Sequence, residues 1–170
     1  MCYGRAVIEL CDTKRPALEP QAWIGLLLVL LFWPLNWLIP DEVRPTAYLF
    51  FPLWLGYILT MDALVAARSG TSILRRSRKE FVLLFFASAP AWWLFEVINW
   101  RTQNWEYVGG DAFTGWRYFV LATVAFSTVM PAVFETAEFV RTFSWTERFA
   151  HGPRLWNESP PTVASGVERR

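Results

Sequence analysis

Residues 88–110 read SAPAWWLFEVINWRTQNWEYVGG, and this stretch contains the features that decide how the chain is organised. Its first part belongs to an apolar run of membrane length that is interrupted by Pro90 and carries Glu96 and Asn99. Residues three apart share a face of a helix, so the carboxyl and the amide are predicted to lie together. A carboxylate at the centre of a spanning helix costs roughly 2.5–3.5 kcal/mol. The chain therefore needs a partner for Glu96, a use for it, or both.

The composition is that of a membrane protein. Of the 170 residues, 54% are hydrophobic and only 18% are charged, whereas soluble domains average about 25% charged residues. The formal net charge is +1, and the sequence contains no one-sided basic stripe of the kind that binds nucleic acid. A nucleic-acid partner is therefore not expected.

Four apolar runs are long enough to cross a bilayer, which takes about 20 residues. They predict an all-α integral membrane bundle of four transmembrane helices. Prolines within these runs are tolerated in transmembrane helices. The predicted spans are residues 22–39, 46–67, 81–100 and 116–140. Residues 1–21 are predicted to form a leader, residues 22–140 the membrane domain, and residues 141–170 a partly disordered tail, with residues 141–150 as a possible interfacial helix.

The basic residues lie almost entirely on one side of these spans. The leader, the loop 68–80 and the tail hold thirteen of them, and the other two loops hold three. By the positive-inside rule, both termini are predicted to be cytoplasmic. We expect an integral protein of a bacterial inner membrane.

Glu96 is the first candidate for chemistry. A carboxylic acid kept neutral by apolar surroundings can donate a proton, and indole faces can stabilise a developing cation. Glu96 is predicted to be the catalytic acid and Asn99 its orienting partner. The walls of the site, three or four residues from Glu96, are predicted to be Trp92, Trp93 and Trp100.

Each of these residues also has a purely structural interpretation. Glu96 could make an interhelical hydrogen bond to Asn36 or Thr60 that ties spans together. The tryptophans could belong to an interfacial aromatic belt. The sequence leaves both alternatives open.

A second acidic cluster comprises Asp62, Glu135 and Glu138, all predicted near the cytoplasmic ends of their spans. These carboxyls could form ordinary local ion pairs, such as Glu138 with Arg141 at i,i+3, or could share a proton or a cation. Glu96 is predicted near the opposite face, so a site that used all four acids would need an unwound helix. No such helix is assumed.

No resident metal or cofactor is expected. The cysteines, Cys2 and Cys11, both lie in the leader and do not form a disulfide framework. His151 is a lone histidine in a basic tail, so a histidine-rich metal or haem site within this chain is excluded.

The order of features in residues 46–140 resembles the lycopene cyclase domain of heterodimeric and fused carotenoid cyclases. Glu96 stands where that family has aspartate, and PAVFETAE stands where its Pro-x-Glu-Glu motif has adjacent glutamates. The resemblance implies an isoprenoid substrate, proton-initiated ring closure without redox change, and a partner domain that completes the site. The parallel elements are Asp62 before a basic loop, Pro90 with Trp92, Trp93 and Glu96, then Gln103, Asn104 and Trp105, and finally Pro131 with Glu135 and Glu138.

The sequence thus favours a multi-pass membrane protein that binds, and in the catalytic hypothesis transforms, an apolar isoprenoid-type lipid by acid-initiated chemistry. The alternative is a non-catalytic helical subunit of a larger membrane complex. The expected partners are a membrane lipid and either other membrane subunits or further copies of the chain.

Overall fold

A computed structural model describes residues 19–39, 46–107 and 115–149, and within these ranges the chain is helical and contains no strand. The all-helical prediction is therefore confirmed for the described part of the chain. The elements are α1 (Pro20–Leu38), α2 (Thr46–Ser69), α3 (Ile73–Arg76), α4 (Arg78–Thr102), α5 (Gly115–Phe126), α6 (Val129–Arg141) and a 3-10 helix (Ser144–Phe149). The 3-10 helix occupies most of the segment predicted as an interfacial helix. The predicted leader up to residue 18 and the predicted tail beyond residue 149 lie outside the described residues.

Four helical segments are long and apolar enough to cross a membrane, as the sequence predicted. The first three are α1, α2 and α4, and the fourth consists of α5 followed by α6. Their ends agree with the predicted spans within three residues. The main difference lies in the loop 68–80, where α3 forms a single turn and α4 begins at Arg78.

The membrane-length segments run alternately up and down, which gives the bundle two distinct ends. At one end, Glu19 before α1 pairs with Arg75 of α3, and Arg68 of α2 donates to Thr142 after α6 at 2.7 Å. We call this the basic end. At the other end, which we call the aromatic end, Arg117 of α5 donates to the hydroxyl of Tyr48 of α2 at 3.0 Å.

Helices α1 and α2 pack through two glycines at very short range. A Cβ atom on Gly25 would lie 2.8 Å from the carbonyl oxygen of Gly56, and a Cβ on Gly56 would lie 2.7 Å from the Cβ of Leu28. Small residues that allow backbones to approach are typical of helix contacts in membranes. This contact fixes the start of α1 against the part of α2 that precedes Asp62.

The fourth span, Gly115–Arg141, is interrupted between Phe126 and Val129. The hydroxyl of Ser88, on α4, donates to the carbonyl of Phe126 at 2.5 Å and accepts from the N–H of Met130 at 2.9 Å. In a continuous helix those two backbone groups would bond to each other. An inserted side chain is one of the known causes of a helix break. The missing N–H of Pro131 removes a further bond of the helix at the same place.

Helix α4, by contrast, passes through Pro90 without interruption. The apolar run of residues 81–100 was expected to be interrupted at this proline. A proline inside a membrane helix can be accommodated when neighbours satisfy the freed carbonyl group. Helix α4 is therefore uninterrupted, and it places Ser88 at the break in the fourth span and Glu96 near the aromatic end.

Candidate functional site

Glu96 lies on α4, six residues before the helix ends at Thr102, and its side chain is partly buried. The phenol of Tyr107 donates to its Oε1 at 2.5 Å, and the indole N–H of Trp105 donates to the same oxygen at 3.3 Å. Both bonds use one oxygen, so neither engages Oε2.

The segment after α4 folds back over the helix and brings these donors to Glu96. It starts at Gln103, whose φ of 50° lies in the left-handed region and whose N–H closes the helix on the carbonyl of Asn99 at 2.6 Å. The Asn99 side chain then accepts from the N–H of Asn104 at 2.9 Å and donates to the carbonyl of Trp105 at 2.9 Å. Asn99 therefore acts on Glu96 indirectly, by holding the segment that carries Trp105 and Tyr107.

Aromatic rings lie beside the Glu96–Tyr107 bond, and the Tyr107 side chain itself is 43% exposed. The indole N–H of Trp92 donates to the Tyr107 hydroxyl at 3.4 Å, so the phenol accepts from one side and donates on the other. The rings of Trp92 and Trp105 lie 6.4 Å apart between centroids, and the ring of Phe126 lies 6.0 Å from that of Trp92. The set of Trp92, Glu96, Trp105 and Tyr107 is called the aromatic acid site below.

The other two predicted wall residues lie elsewhere. Trp93 turns towards α5, where its N–H donates to Thr123 at 3.0 Å and its ring stacks on Phe119 with centroids 5.2 Å apart. Trp100 faces outwards and is 85% exposed. Helical spacing correctly places all three tryptophans within one turn of Glu96, but only the indole of Trp92 joins its hydrogen-bond network.

The alternative tie from Glu96 to another span is not formed in the described residues. The hydroxyl of Thr60 donates to the carbonyl of Gly56 within its own helix, at 2.8 Å, and Asn36 is exposed on α1. The carboxyl of Glu96 bonds instead to residues that follow it closely in the chain.

Burial and, after it, the hydrogen bond to Glu96 raise the pKa of the Tyr107 phenol above its ordinary value, which is about 10. The phenol of the folded protein therefore stays a donor at alkaline pH. As pH rises through the ordinary value, the unfolded chain ionises first, so the stability contributed by this phenol is complete below that pH and is lost above it. Ultraviolet titration of the wild type against Tyr107→Phe should isolate a tyrosine that ionises late. A titration difference at or below the ordinary pKa would contradict this geometry.

The second group of acids lies near the basic end. Asp62 is fully buried on α2; its Oδ1 accepts from the backbone N–H of Leu74 at 3.0 Å, and its Oδ2 accepts from the side chain of Gln21 at 3.4 Å. These donors come from α3 and α1. Asp62 is therefore the polar contact around which three helices meet.

Glu135, on α6, is fully buried, and its carboxyl interacts with that of Asp62. Neither oxygen of Glu135 has a hydrogen-bond donor among the described residues. A buried carboxylate without donors is strongly destabilised. Asp62 cannot supply a donor as a carboxylate, so the pair is satisfied only if a proton or a cation lies between the two groups.

Glu138 forms an ion pair with Arg76 of α3 through both terminal guanidinium nitrogens, rather than the local pair with Arg141 that its spacing allows. This bond to Glu138 raises the pKa of Arg76, so the guanidinium stays charged. Arg68 lies over the ring of Phe143, 4.3 Å from its centroid, and donates to Thr142.

The two acid sites lie on opposite sides of the helix break. Glu96 is eight residues along α4 from Ser88, and Glu135 is five residues along α6 from Met130, in the opposite direction. At about 1.5 Å per residue, these intervals separate the sites by roughly 20 Å along the bundle axis. The break therefore does not bring the four acids into one site.

Sequence analysis did not identify Tyr107, Ser88 or Arg76 as partners in these sites. Tyr107 follows Glu96 by eleven residues across a chain reversal, which helical periodicity cannot reveal. A serine followed by proline two residues later was visible in the sequence, but its contact with another helix was not.

The fold and the site define a class: an all-helical protein with four membrane-length segments and a carboxyl group held by aromatic donors. Comparisons with protein-family models, with curated proteins and with solved structures give no match to this chain. The resemblance to the lycopene cyclase domain rests on the order of residues alone.

Proposed function

We propose that this protein binds an apolar, isoprenoid-type lipid within the bilayer and protonates it from Glu96. The observation that carries the proposal is that the donors of Tyr107 and Trp105 both bond to Oε1 of Glu96. Donors on the carbonyl oxygen stabilise the negative charge that develops when the O–H of the other oxygen gives up its proton. In this role, Tyr107 and Trp105 stabilise the carboxylate that remains after Glu96 gives up its proton.

The reaction is acid–base chemistry and needs no redox partner. The π electrons of an alkene form a new C–H bond with the Glu96 proton, while the O–H bond breaks and leaves a carboxylate and a carbocation. Indole faces stabilise such a cation through their ring quadrupole. Attack by a second alkene of the same lipid closes a ring. Loss of a proton from the resulting cation to the carboxylate restores the acid, so the lipid is isomerised.

The surroundings of Glu96 favour an apolar substrate that arrives through the membrane. Its neighbours Phe95 and Val97 are 51% and 62% exposed on a helix that is long and apolar enough to span the bilayer. Lipid chains would cover this surface. A partly buried acid beside such a surface is accessible to a lipid alkene without an aqueous channel.

A second candidate function, a non-catalytic subunit of a membrane complex, is favoured by helix α1. The buried residues of α1 are Ala22 and Gly25, whereas Trp23, Trp33 and Trp37 are 63%, 55% and 76% exposed. A helix held mainly by one neighbour leaves a broad aromatic face for another protein.

Purification in mild detergent from the native membrane tests the two functions against each other. The absorption spectrum and mass spectrometry of the extracted lipids should reveal a stoichiometric polyene or prenyl lipid bound to the protein. Bulk phospholipid alone, together with partner proteins at fixed stoichiometry, would contradict the lipid-transforming function and favour the subunit.

A further inference from the structure

We propose that Asp62 and Glu135 form a proton-binding site that holds a single proton between their carboxyl groups. The site lies on the basic-end side of the helix break and is separate from the aromatic acid site. The proposal does not depend on the function of Glu96.

The distribution of donors indicates which carboxyl carries the proton. Asp62 accepts from Leu74 and Gln21, so donors stabilise its negative charge. Glu135 has no donor on either oxygen among the described residues, although it is fully buried. With the proton on Glu135, its O–H donates to Asp62, which gives Glu135 a partner and removes the second buried negative charge.

The charges around the pair do not compensate for a second carboxylate. Arg76 of α3 acts on Glu135 from the basic end, but it is already paired with Glu138 of α6. Glu80 of α4 adds another negative charge near Arg76. Two buried carboxylates side by side would repel each other, and among the described residues Arg76, the cation that acts on Glu135, is already paired, so one carboxyl remains protonated.

A bound metal ion is a poorer match to this site than a proton. No third Asp, Glu, Cys or His joins the pair to form a metal-binding group within residues 19–39, 46–107 and 115–149. Hard cations require several oxygen ligands, typically six or more. A proton needs only the two carboxyl oxygens that face each other.

Infrared difference spectroscopy of the full-length protein in detergent tests the site at neutral pH. A protonated carboxyl gives a carbonyl band that shifts in D2O. In Glu135→Gln the intensity of this band should fall by the contribution of one carboxyl group. The exposed Glu106→Gln should leave that band unchanged. In Glu96→Gln the intensity that Glu135→Gln removes should remain, so failure of one proposal is distinguishable from failure of the other.

The stability of the protein gives an independent readout. The unfolded chain ionises Glu135 at neutral pH, so folding takes up a proton and the folding equilibrium constant falls about tenfold per pH unit. Glu135→Gln should fold, because its amide reproduces the shape and the donor of the neutral acid, and it should lose this one-proton slope. A variant that fails to fold, or that keeps the slope, would overturn the proposal. Two ionised carboxylates in the wild type, with stability that rises with sodium concentration, would overturn it as well.

Discussion

Replacing Glu96 by glutamine is expected to reduce lipid turnover by at least about a hundredfold while the bundle stays folded. General acid catalysis contributes typically 10²–10⁴-fold to a rate, and an amide cannot donate a proton as an acid. The amide oxygen still accepts from Tyr107 and Trp105, so the segment after α4 keeps its place. Product formation from the lipid that co-purifies with the wild type is the measurement, with circular dichroism as the check on folding.

Glu106→Gln is the matched control, because Glu106 is exposed in the same segment and lies between the two donors. It should turn over lipid at the wild-type rate. A folded Glu96→Gln variant with wild-type turnover would remove Glu96 from the role of acid and return it to a purely structural one.

Replacing Ser88 by alanine removes one oxygen atom and is expected to lower the stability of the protein strongly. The hydroxyl satisfies the carbonyl of Phe126 and the N–H of Met130, and Ser88 is fully buried. Each buried polar group left without a partner costs about 1–3 kcal/mol. The unfolding midpoint in detergent should therefore fall clearly below that of the wild type.

Thr102→Ala is the control for that change, because its hydroxyl also bonds to a backbone carbonyl but at the exposed end of α4. It should shift the midpoint little. If Ser88→Ala has the same unfolding midpoint as the wild type, the carbonyl of Phe126 and the N–H of Met130 can bond to each other across the break. Ser88 would then not maintain the interruption.

The four membrane-length segments were predictable because apolar length is a local property of the sequence. A bilayer requires about 20 apolar residues per helix, and the runs that end near Leu38, Ser69, Thr102 and Arg141 meet this requirement without reference to one another. The orientation of the termini follows only from the distribution of basic residues and stays a prediction.

The features that the sequence did not reveal all depend on contacts between distant parts of the chain. The break before Val129 requires Ser88, a residue of another helix, whereas Pro131 alone resembled the prolines inside α1, α2 and α4. Helical spacing placed Trp100 and Trp93 beside Glu96, but the chain reversal at Gln103 supplied Trp105 and Tyr107 instead. Donors on a segment that folds back over the helix can point directly at the carboxyl of Glu96. Side chains on the same helix lie beside the carboxyl but do not all point at it.

Proton transfer from Glu96 to a lipid alkene, the central claim, can be detected directly with D2O. The purified protein, in detergent prepared in D2O, is incubated with the prenyl-lipid fraction of its own membrane. The masses of the lipid products are then measured by mass spectrometry. The account predicts an isomerised lipid that carries deuterium on carbon with the wild type and with Glu106→Gln, and unchanged lipid with Glu96→Gln. Unlabelled lipid with the wild type, or equal labelling with Glu96→Gln, would contradict it.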